Sequence, residues 1–333
     1  MPVILGIESS CDETSAAICI DGTIISNIIT SQSIHTAYGG VVPELASRVH
    51  QQNIIPVVQQ AILTAKVTKN DIDAVSFTRG PGLLGALLVG VSFAKAFALA
   101  RNLPLIEVNH MQAHIMANFI EDPKPKFPFI CLTVSGGHTQ IVLVKANFDF
   151  EIIGETLDDA AGEAMDKTSR ILGLPYPGGP LIDQYARLGN PDAFKFPEPQ
   201  IPGLNFSFSG VKTAFLYFMR DKVAVNPDFL KENLPDLCAS IEKRIATILI
   251  NKVKKAAEQY QIKEVALAGG VSANTGLRNL LQQTAAEKGW NCYIPKFEYC
   301  TDNAAMIAAT GYYKFLKHDF VGQQIAPLAR MQF

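Results

Sequence analysis

The sequence predicts an α/β protein whose two halves follow the same plan. Short runs rich in isoleucine and valine alternate with longer stretches of helical periodicity, which is typical of α/β architecture. The segment Asp122–Pro128 holds three prolines, which resist both helix and strand, so we expect a linker there. A chain of 333 residues is long enough for two domains, each with its own core.

Four strands and two helices are predicted before the linker. The strands are Leu5–Glu8, Ala16–Ile20, Ala74–Thr78 and Leu105–Val108, and the helices are Pro43–Ala65 and Gly85–Ala100. After the linker the pattern predicts a hairpin over Ile130–Val144, a helix after Ser209, a helix over Leu234–Tyr260, a strand over Glu264–Ala268 and a helix over Asn274–Lys288. A final helix over Asn303–Leu316 comes late enough to cross back toward the first half.

A further helix is predicted over Leu157–Leu172. Thr156 is placed as its N-cap, with Asp158 and Asp159 in the first turn, where carboxylates favour a helix dipole. Gly173 is expected to end it.

The opening pattern of the chain recurs after the linker. Residues Leu5–Ile20 and Ile130–Val144 each contain an apolar strand, a turn of small or acidic residues, and a second apolar strand. This similarity suggests a duplicated lobe. Hairpins occur in any α/β protein, however, so the pattern alone leaves duplication open.

Composition favours a globular protein of the cytoplasm. Hydrophobic residues make up 48% of the chain and charged residues 18%, which excludes a disordered protein. A net charge of −2 excludes a bulk polycation, so contact with nucleic acid would need local basic patches or partner proteins. The six cysteines form no CxxC pair, and no basic leader precedes Glu8, so we expect free thiols and no secretion signal. Lys95 and several glycines interrupt the longest apolar stretch, which argues against a membrane span.

The spacing of His110 and His114 is that of a metal-binding pair. Residues four apart share one face of a helix, so both imidazoles can meet one ion, and imidazole suits zinc or iron. Two histidines that bind no metal, on the surface or in the core, would show the same spacing in the sequence. A zinc peptidase would need glutamate directly after the first histidine, and Met111 stands there.

Glycine-rich turns in the second half are typical of a phosphate-binding protein. They are Ser135–Thr139, Gly178–Gly179 and Gly269–Gly270, and two of them lie at strand ends. Backbone amides in such turns can cradle phosphate. Each turn alone could be only a turn, but three together favour a nucleotide site.

Several carboxylates remain ambiguous from the pattern. Asp166 shares a helix face with Gly162, which would leave space for a ligand, but Asp166 and Asp183 could equally be solvated. The loop Glu8–Thr14 holds three carboxylates, which repel one another unless a cation or polar ligand is near. Asp302 could cap the last helix or bind metal, and the pattern does not choose.

Seven motifs together resemble one family along nearly the whole chain. They are Gly6–Thr14, Gly39–Glu44, Gly80–Leu83, Val108–His114, Val134–Thr139, Phe206–Gly210 and Cys300–Asn303. These motifs are similar to those of the tRNA threonylcarbamoyladenosine transferases, known as TsaD in bacteria, a family that includes the catalytic subunit of KEOPS. Ser9, where threonine is common, is a mild departure.

The resemblance implies an actin-like ATPase (ASKHA) fold of two duplicated lobes with a ligand cleft between them. The expected N-terminal lobe is 1–122 with 304–333, and the expected C-terminal lobe is 126–303. His110, His114 and Asp302 are similar to the family's metal ligands, for Fe²⁺ or alternatively Zn²⁺. The implied substrate-binding residues are Thr133, Val134, Ser135, Gly136, Gly137, Asp166, Gly179, Asp183 and Asn274.

The resemblance also implies a reaction and a set of partners. The family transfers the threonylcarbamoyl group of threonylcarbamoyl-AMP to N6 of adenosine 37 in tRNAs that read codons beginning with A. Glu13, Asp12 or His138 could handle protons, and none of them is assigned that role. The implied partners are tRNA, the inactive paralogue TsaB, the ATPase TsaE and the synthase that makes threonylcarbamoyl-AMP.

Three rival functions are weaker. A small-molecule kinase of the same fold needs no histidine pair, a metallopeptidase lacks its general base, and an inactive scaffold would be expected to lose the metal ligands. For tRNA, five basic residues on one predicted helix are candidate phosphate contacts, although a solvated helix face explains them as well. They are Lys243, Arg244, Lys252, Lys254 and Lys255.

Overall fold

The computed structural model describes residues 1–333, which form two compact units. Residues 1–124 and 295–333 make the N-terminal unit, and residues 125–294 make the C-terminal unit. The first crossing between them lies inside the proline-rich segment.

Each unit contains a five-stranded sheet, and the two sheets have the same topology. The N-terminal sheet has the order β3-β2-β1-β4-β5, and the C-terminal sheet has the order β10-β9-β6-β7-β8. The strands are Val3–Glu8 (β1), Glu13–Ile20 (β2), Thr23–Ser31 (β3), Ala74–Gly80 (β4), Leu105–Asn109 (β5), Phe129–Val134 (β6), Thr139–Ala146 (β7), Asp149–Glu155 (β8), Glu264–Ala268 (β9) and Asn291–Tyr293 (β10). In each unit the first strand pairs antiparallel with the second, and parallel with a strand that follows a helical connection. The predicted α/β class and duplication are confirmed.

Nine α-helices complete the fold. They are Pro43–Thr64 (α1), Leu84–Arg101 (α2), His110–Met116 (α3), Ala161–Ile171 (α4), Gly179–Ala186 (α5), Ser209–Val225 (α6), Phe229–Tyr260 (α7), Thr275–Lys288 (α8) and Ala304–Phe315 (α9). Most predicted helices are confirmed to within a few residues.

Strand β1 is buried along its whole length because helices cover both faces of its sheet. Leu5 and Ile7 pack into the core that α1 and α2 cover, whereas Ile4 packs into the core beneath α9. Gly6 permits the close approach of α9, since a Cβ there would lie 2.7 Å from the Ala304 carbonyl oxygen. The last helix therefore packs against the first strand, as its position in the chain predicted.

The predicted start of α4 is wrong. The helix begins at Ala161, and the Thr156 hydroxyl donates to the Asp159 carbonyl instead of capping a helix. Asp158 accepts hydrogen bonds from the Ser207 and Ser209 hydroxyls at the start of α6. These partners lie about fifty residues away, so the local pattern could not reveal them.

Helix α2 is long and apolar enough to span a membrane by length and composition alone. Its buried residues, which include Val91, Ala94 and Ala98, pack into the N-terminal core together with α1 and β1. These residues make up 33% of the helix, and one such helix is weak evidence of a membrane span, since core helices pass the same test of length and hydropathy.

Candidate functional site

The two histidines of the predicted metal pair lie side by side at the start of α3. Asn109 ends β5 and caps the helix, because its Oδ1 accepts hydrogen bonds from the Met111 and Gln112 amides at 2.9 and 3.1 Å. The helix therefore begins at His110 and places His114 one turn later. Both imidazoles are buried, and their ring centroids are 4.7 Å apart.

Asp302 completes the cluster. Its Oδ1 lies 3.1 Å from Nε2 of His114 and 3.4 Å from Nε2 of His110. The three ligand atoms all lie within 4.8 Å of one another. Asp302 is not the helix cap, since the Oδ1 of Asn303 accepts from the Met306 amide at 3.0 Å and caps α9. Of the two roles open to Asp302, the cap is excluded.

Glu8 supports the cluster from the end of β1, and the pattern did not single it out from its acidic neighbours. Its Oε2 lies 3.1 Å from Nδ1 of His110, on the side of the ring away from Asp302. The Thr78 hydroxyl donates to Oε2 at 2.5 Å, and the Ser10 amide donates to Oε1 at 2.6 Å. These bonds fix the carboxylate in a fully buried position.

Charges in the cluster reinforce one another. Burial disfavours the charged form of His110, but the carboxylates of Asp302 and Glu8 outweigh it and raise the pKa of the imidazole. Burial likewise opposes ionisation of Asp302 and Glu8, yet the attraction of His110 lowers the pKa of both carboxyls. A cation is thus favoured at this position.

The donor set fits a divalent transition metal. Two imidazole nitrogens and one carboxylate oxygen suit Fe²⁺ or Zn²⁺ and leave room for further ligands. A carboxylate behind a ligating histidine is the usual support for such a ring, and Glu8 stands in that place behind His110. Nδ1 of His114 is buried without a hydrogen-bond partner. Only one of the two rings has this support.

The acidic loop after Glu8 is also close to the cluster. Burial raises the pKa of Glu13 to about 9, and the carboxylates of Asp302 and Asp12 act in the same direction. His50 on α1 anchors this loop, since its Nε2 contacts the Cys11 carbonyl oxygen at 2.9 Å. The other ring nitrogen of His50 lies 2.8 Å from the Thr14 hydroxyl. Sequence spacing did not indicate this histidine.

A C-terminal strap, residues 320–333, lies along the same region of the N-terminal unit. The side chains of Arg79 and Lys95 donate to carbonyl oxygens of Ala326 and Ile325, both at 3.0 Å. The side-chain amide of Asn109 donates to the Gln332 carbonyl at 2.9 Å. The residue that caps the histidine helix is therefore held from its other side by the strap.

In the C-terminal unit, the turn between β6 and β7 carries five predicted substrate residues. Thr133 and Val134 end β6, and residues 135–138 form the turn. The Ser135 amide donates to the His138 carbonyl at 2.8 Å, and the His138 amide donates to the Ser135 hydroxyl at 3.0 Å. A Cβ on Gly136 or Gly137 would meet nothing within 4 Å, so this backbone is open to a ligand.

Asp166 organises the second glycine turn. Its Oδ1 accepts hydrogen bonds from the Gly178 and Gly179 amides at 2.9 and 3.1 Å. Burial raises the pKa of this carboxyl, although those two bonds oppose the shift. Gly162 does not open space beside Asp166, since a Cβ there would lie 2.6 Å from the Ser135 carbonyl oxygen. The prediction that Gly162 leaves space beside Asp166 is wrong. Because Gly162 has no side chain, the backbone of the first glycine turn packs directly against it.

Asp183 and Asn274 meet at the start of α8. Oδ1 of Asp183 accepts from the Thr275 amide at 2.7 Å, while Oδ1 of Asn274 caps the helix through the Leu277 amide at 2.8 Å. Gly269 brings the preceding turn against β6, since its φ is +87° and a Cβ would lie 2.4 Å from the Val134 carbonyl oxygen. The nine predicted substrate residues thus come from four places in the C-terminal unit. Residues 133–137 lie at the end of β6 and in the turn after it, Asp166 lies on α4, Gly179 and Asp183 lie on α5, and Asn274 lies at the start of α8.

The basic run on α7 largely serves the fold. Lys243 pairs with Asp192 at 2.6 Å, and Arg244 pairs with Glu198 at 3.1 Å. Lys252 donates to carbonyl oxygens at residues 201 and 203. Three of the five basic side chains therefore hold the loop before α6, which favours the structural explanation for them.

Comparisons with known proteins agree with this arrangement. The sequence profile of the family "TsaD: tRNA N6-adenosine threonylcarbamoyltransferase" matches residues 23–309. A protein of that name from Cytophaga hutchinsonii is 60% identical over 329 residues, which cover 99% of this chain and 96% of the relative. Another, from Thermosipho africanus, is 49% identical over 320 residues, or 95% of each chain.

Solved structures show the same fold at low identity. HypF from T. kodakarensis superposes with a TM-score of 0.62 and 14% identity, covering 96% of this chain and 48% of HypF. Component A of the (R)-2-hydroxyglutaryl-CoA dehydratase from Acidaminococcus fermentans gives 0.55 and 16%, covering 94% of this chain and 99% of that protein. The expected actin-like ATPase fold is confirmed. From the profile match and the full-length relatives we conclude that the chain belongs to the TsaD family of tRNA N6-adenosine threonylcarbamoyltransferases.

Proposed function

We propose that this protein transfers the threonylcarbamoyl group from threonylcarbamoyl-AMP to N6 of adenosine 37 in tRNAs that read codons beginning with A. N6 attacks the carbamoyl carbon, the bond from that carbon to the phosphate oxygen breaks, and AMP leaves with the electron pair. The attacking nitrogen gives up one proton. The family assignment supports this reaction class, and the convergence of His110, His114 and Asp302 is the observation that carries the chemistry.

The N-terminal cluster is assigned the threonylcarbamoyl group. His110, His114 and Asp302 would hold a divalent metal, Fe²⁺ or alternatively Zn²⁺, which supplies Lewis-acid polarisation or orientation when bound. Glu8 keeps the ring of His110 in its ligating orientation. Glu13, which is half-buried near Asp302, is a candidate for handling a proton in this step.

The C-terminal turns are assigned the adenylate. The open backbone at Gly136 and Gly137 suits phosphate oxygens, since no side chain occupies the space above it. Asp166 shapes the neighbouring turn at Gly179 through two amide bonds. Asp183 and Asn274, at the start of α8, are assigned to the nucleoside.

The chain's surface and chemistry support a proposal about partners and location. A net charge of −2, with most of the α7 basic run engaged in the fold, supports the need for partner proteins in gripping tRNA. Exposed apolar side chains on α1 and α2 support docking of the TsaB paralogue there, with TsaE as a further partner; they are Ile55, Leu63, Leu84, Leu88 and Leu99. Six free cysteines fit a cytoplasmic location.

The test is a reconstituted transfer reaction. Purified protein, threonylcarbamoyl-AMP made by its synthase, and unmodified tRNA are combined with and without TsaB and TsaE, and the nucleosides are measured by mass spectrometry. We expect the modified adenosine in the complete mixture. His110→Ala and His114→Ala should lose it while remaining folded, and the exposed Glu44→Gln variant should keep it. An absence of product in the complete mixture would overturn the proposal.

A further inference from the structure

Glu242 is a buried acid that none of the assignments above uses. It lies on α7 and is 8% exposed. Buried carboxylates are usually paired with a cation. The guanidinium of Arg187 attracts Glu242 but forms its ion pair with Asp183. Glu242 therefore lies in the C-terminal unit without a cation of its own.

The contacts of Glu242 lead to the two residues assigned to the nucleoside. Its Oε1 accepts a hydrogen bond from Nδ2 of Asn274 at 2.5 Å. The Asp183 carboxyl is close enough to raise the pKa of Glu242. The chain makes room for this arrangement at Gly276, where a Cβ would lie 2.3 Å from Oε2 of Glu242.

Two neighbouring buried carboxylates repel each other, which favours a proton on one of them. The amide and hydroxyl of Thr275 both donate to Asp183, at 2.7 and 3.1 Å, and Arg187 pairs with it as well. Asp183 is therefore the acceptor in all of these contacts. Glu242 accepts from Asn274, and burial raises its pKa, so we assign the proton of the pair to Glu242.

We propose that protonated Glu242 is a positioning residue that locks Asp183 and Asn274 in the conformation that binds the adenine nucleoside. This inference rests on the proposed function, which assigns those two side chains to the nucleoside. Oδ1 of Asn274 is occupied by the Leu277 amide, and one hydrogen of Nδ2 is occupied by Glu242. The amide is thus fixed in one orientation and has one hydrogen left for a ligand.

The arrangement makes nucleoside binding sensitive to pH. Burial raises the pKa of Glu242 to about 7, and the charge of Asp183 adds to the shift although Arg187 opposes it. Cys238 on the same helix stays neutral, because burial raises its pKa to about 12. Helix α8 contributes only the uncharged Asn274 and Thr275 to this contact. Loss of the proton would make Glu242 negative beside Asp183. The repulsion between the two groups would allow Asp183 and Asn274 to leave the conformation that binds the nucleoside.

The test measures adenosine binding by calorimetry between pH 6 and pH 8. Adenosine is the probe because it has no phosphate that titrates in this range. About one-tenth of the wild-type molecules keep the proton at pH 8, so affinity should fall about tenfold from pH 6. Glu242→Gln imitates the protonated acid and should bind as tightly as the wild type at pH 6, with little change up to pH 8. The exposed Glu232→Gln on the same helix should retain the wild-type pH profile.

Glu242→Ala should bind adenosine weakly at every pH, and the glutamine variant keeps the test valid if the alanine variant does not fold. A flat wild-type profile, or a Glu242→Gln profile identical to that of the wild type, overturns this inference alone. Failure of the wild type to bind adenosine at pH 6 also overturns it, and removes the nucleoside assignment with it. Threonylcarbamoyl transfer tests the proposed function separately.

Discussion

The first hairpin of each unit shows how one backbone design can serve two kinds of chemistry. Strands β1 and β6 are both six residues long, pair antiparallel with the next strand, and end in a turn. In the N-terminal hairpin, strand β1 ends in Glu8, whose buried carboxylate contacts His110. The C-terminal hairpin ends in Val134 and a turn whose glycines carry no side chain and face open space.

The N-terminal unit therefore carries a site built from side chains, which we call the side-chain site. The C-terminal unit carries a candidate site built mainly from backbone, which we call the backbone site. In the N-terminal unit, carboxylates and imidazoles create a charged, buried cluster suited to a cation. In the C-terminal unit, the backbone at Gly136 and Gly137 remains open, because no side chain occupies the space beside it. A repeated topology therefore fixes where a site lies, whereas the residues of the turn decide what it binds.

The largest effect is expected at Asp302 in the N-terminal cluster, and the neighbouring Asn303 serves as the comparison. Asp302→Ala removes a ligand atom that lies near both imidazoles, so metal affinity should fall more than about a hundredfold. Asn303→Ala removes the cap of α9 and should lower the free energy of unfolding by about 1–2 kcal/mol while the metal is retained. Metal titration and denaturant unfolding measure the two effects. Equal loss of metal in both variants would contradict the assignment of Asp302 as a metal ligand and of Asn303 as a helix cap.

A smaller loss of metal affinity is expected when Glu8, the carboxylate that supports His110, is changed. Glu8→Gln keeps the size of the side chain but removes the charge that faces Nδ1 of His110. Metal affinity should fall by about 10- to 100-fold, as is usual when the support of a ligating histidine is changed. Competition against a chelator of known affinity measures the change, with the exposed Glu44→Gln as the control. Unchanged affinity would show that Glu8 only fills space.

The smallest effects concern the backbone site. Gly269→Ala should lower the free energy of unfolding by about 2 kcal/mol, because φ is +87° and the new Cβ would lie 2.4 Å from the Val134 carbonyl oxygen. Gly136→Ala meets nothing within 4 Å and should leave stability nearly unchanged while it weakens AMP binding. Thermal unfolding and AMP titration separate the two. A Gly136→Ala protein that binds AMP as the wild type does would remove this turn from the phosphate site.

Local sequence patterns were sufficient for the elements that are buried and regular. The strands Leu5–Glu8 and Ala74–Thr78 are short, nearly continuous apolar runs, and the helix over Pro43–Ala65 begins with a proline in its first turn. Each of them is confirmed. The edge strands Thr23–Ser31 and Asp149–Glu155 were missed, because an edge strand is half-buried and mixes polar with apolar residues.

The site was only partly accessible from sequence. The His110 and His114 pair follows from helix periodicity, because the two residues share one turn. Glu8 and His110 are 102 residues apart, and Glu242 and Asn274 are 32 apart, so these contacts exist only in the folded chain. Asp302 and Asn303 are both good caps, and only the three-dimensional structure shows that Asn303 takes that role.

The most direct test of the side-chain site is X-ray absorption spectroscopy of the metal-loaded protein. We expect one metal ion per chain, with two imidazole nitrogens at about 2.0–2.1 Å if zinc is bound, and with oxygen as the remaining ligand type. His114→Ala should remove one imidazole from the spectrum, and Asp302→Ala should weaken binding without changing the imidazole count of any metal that remains. A spectrum without imidazole scattering, or one unchanged by His114→Ala, would contradict the metal site at the start of α3.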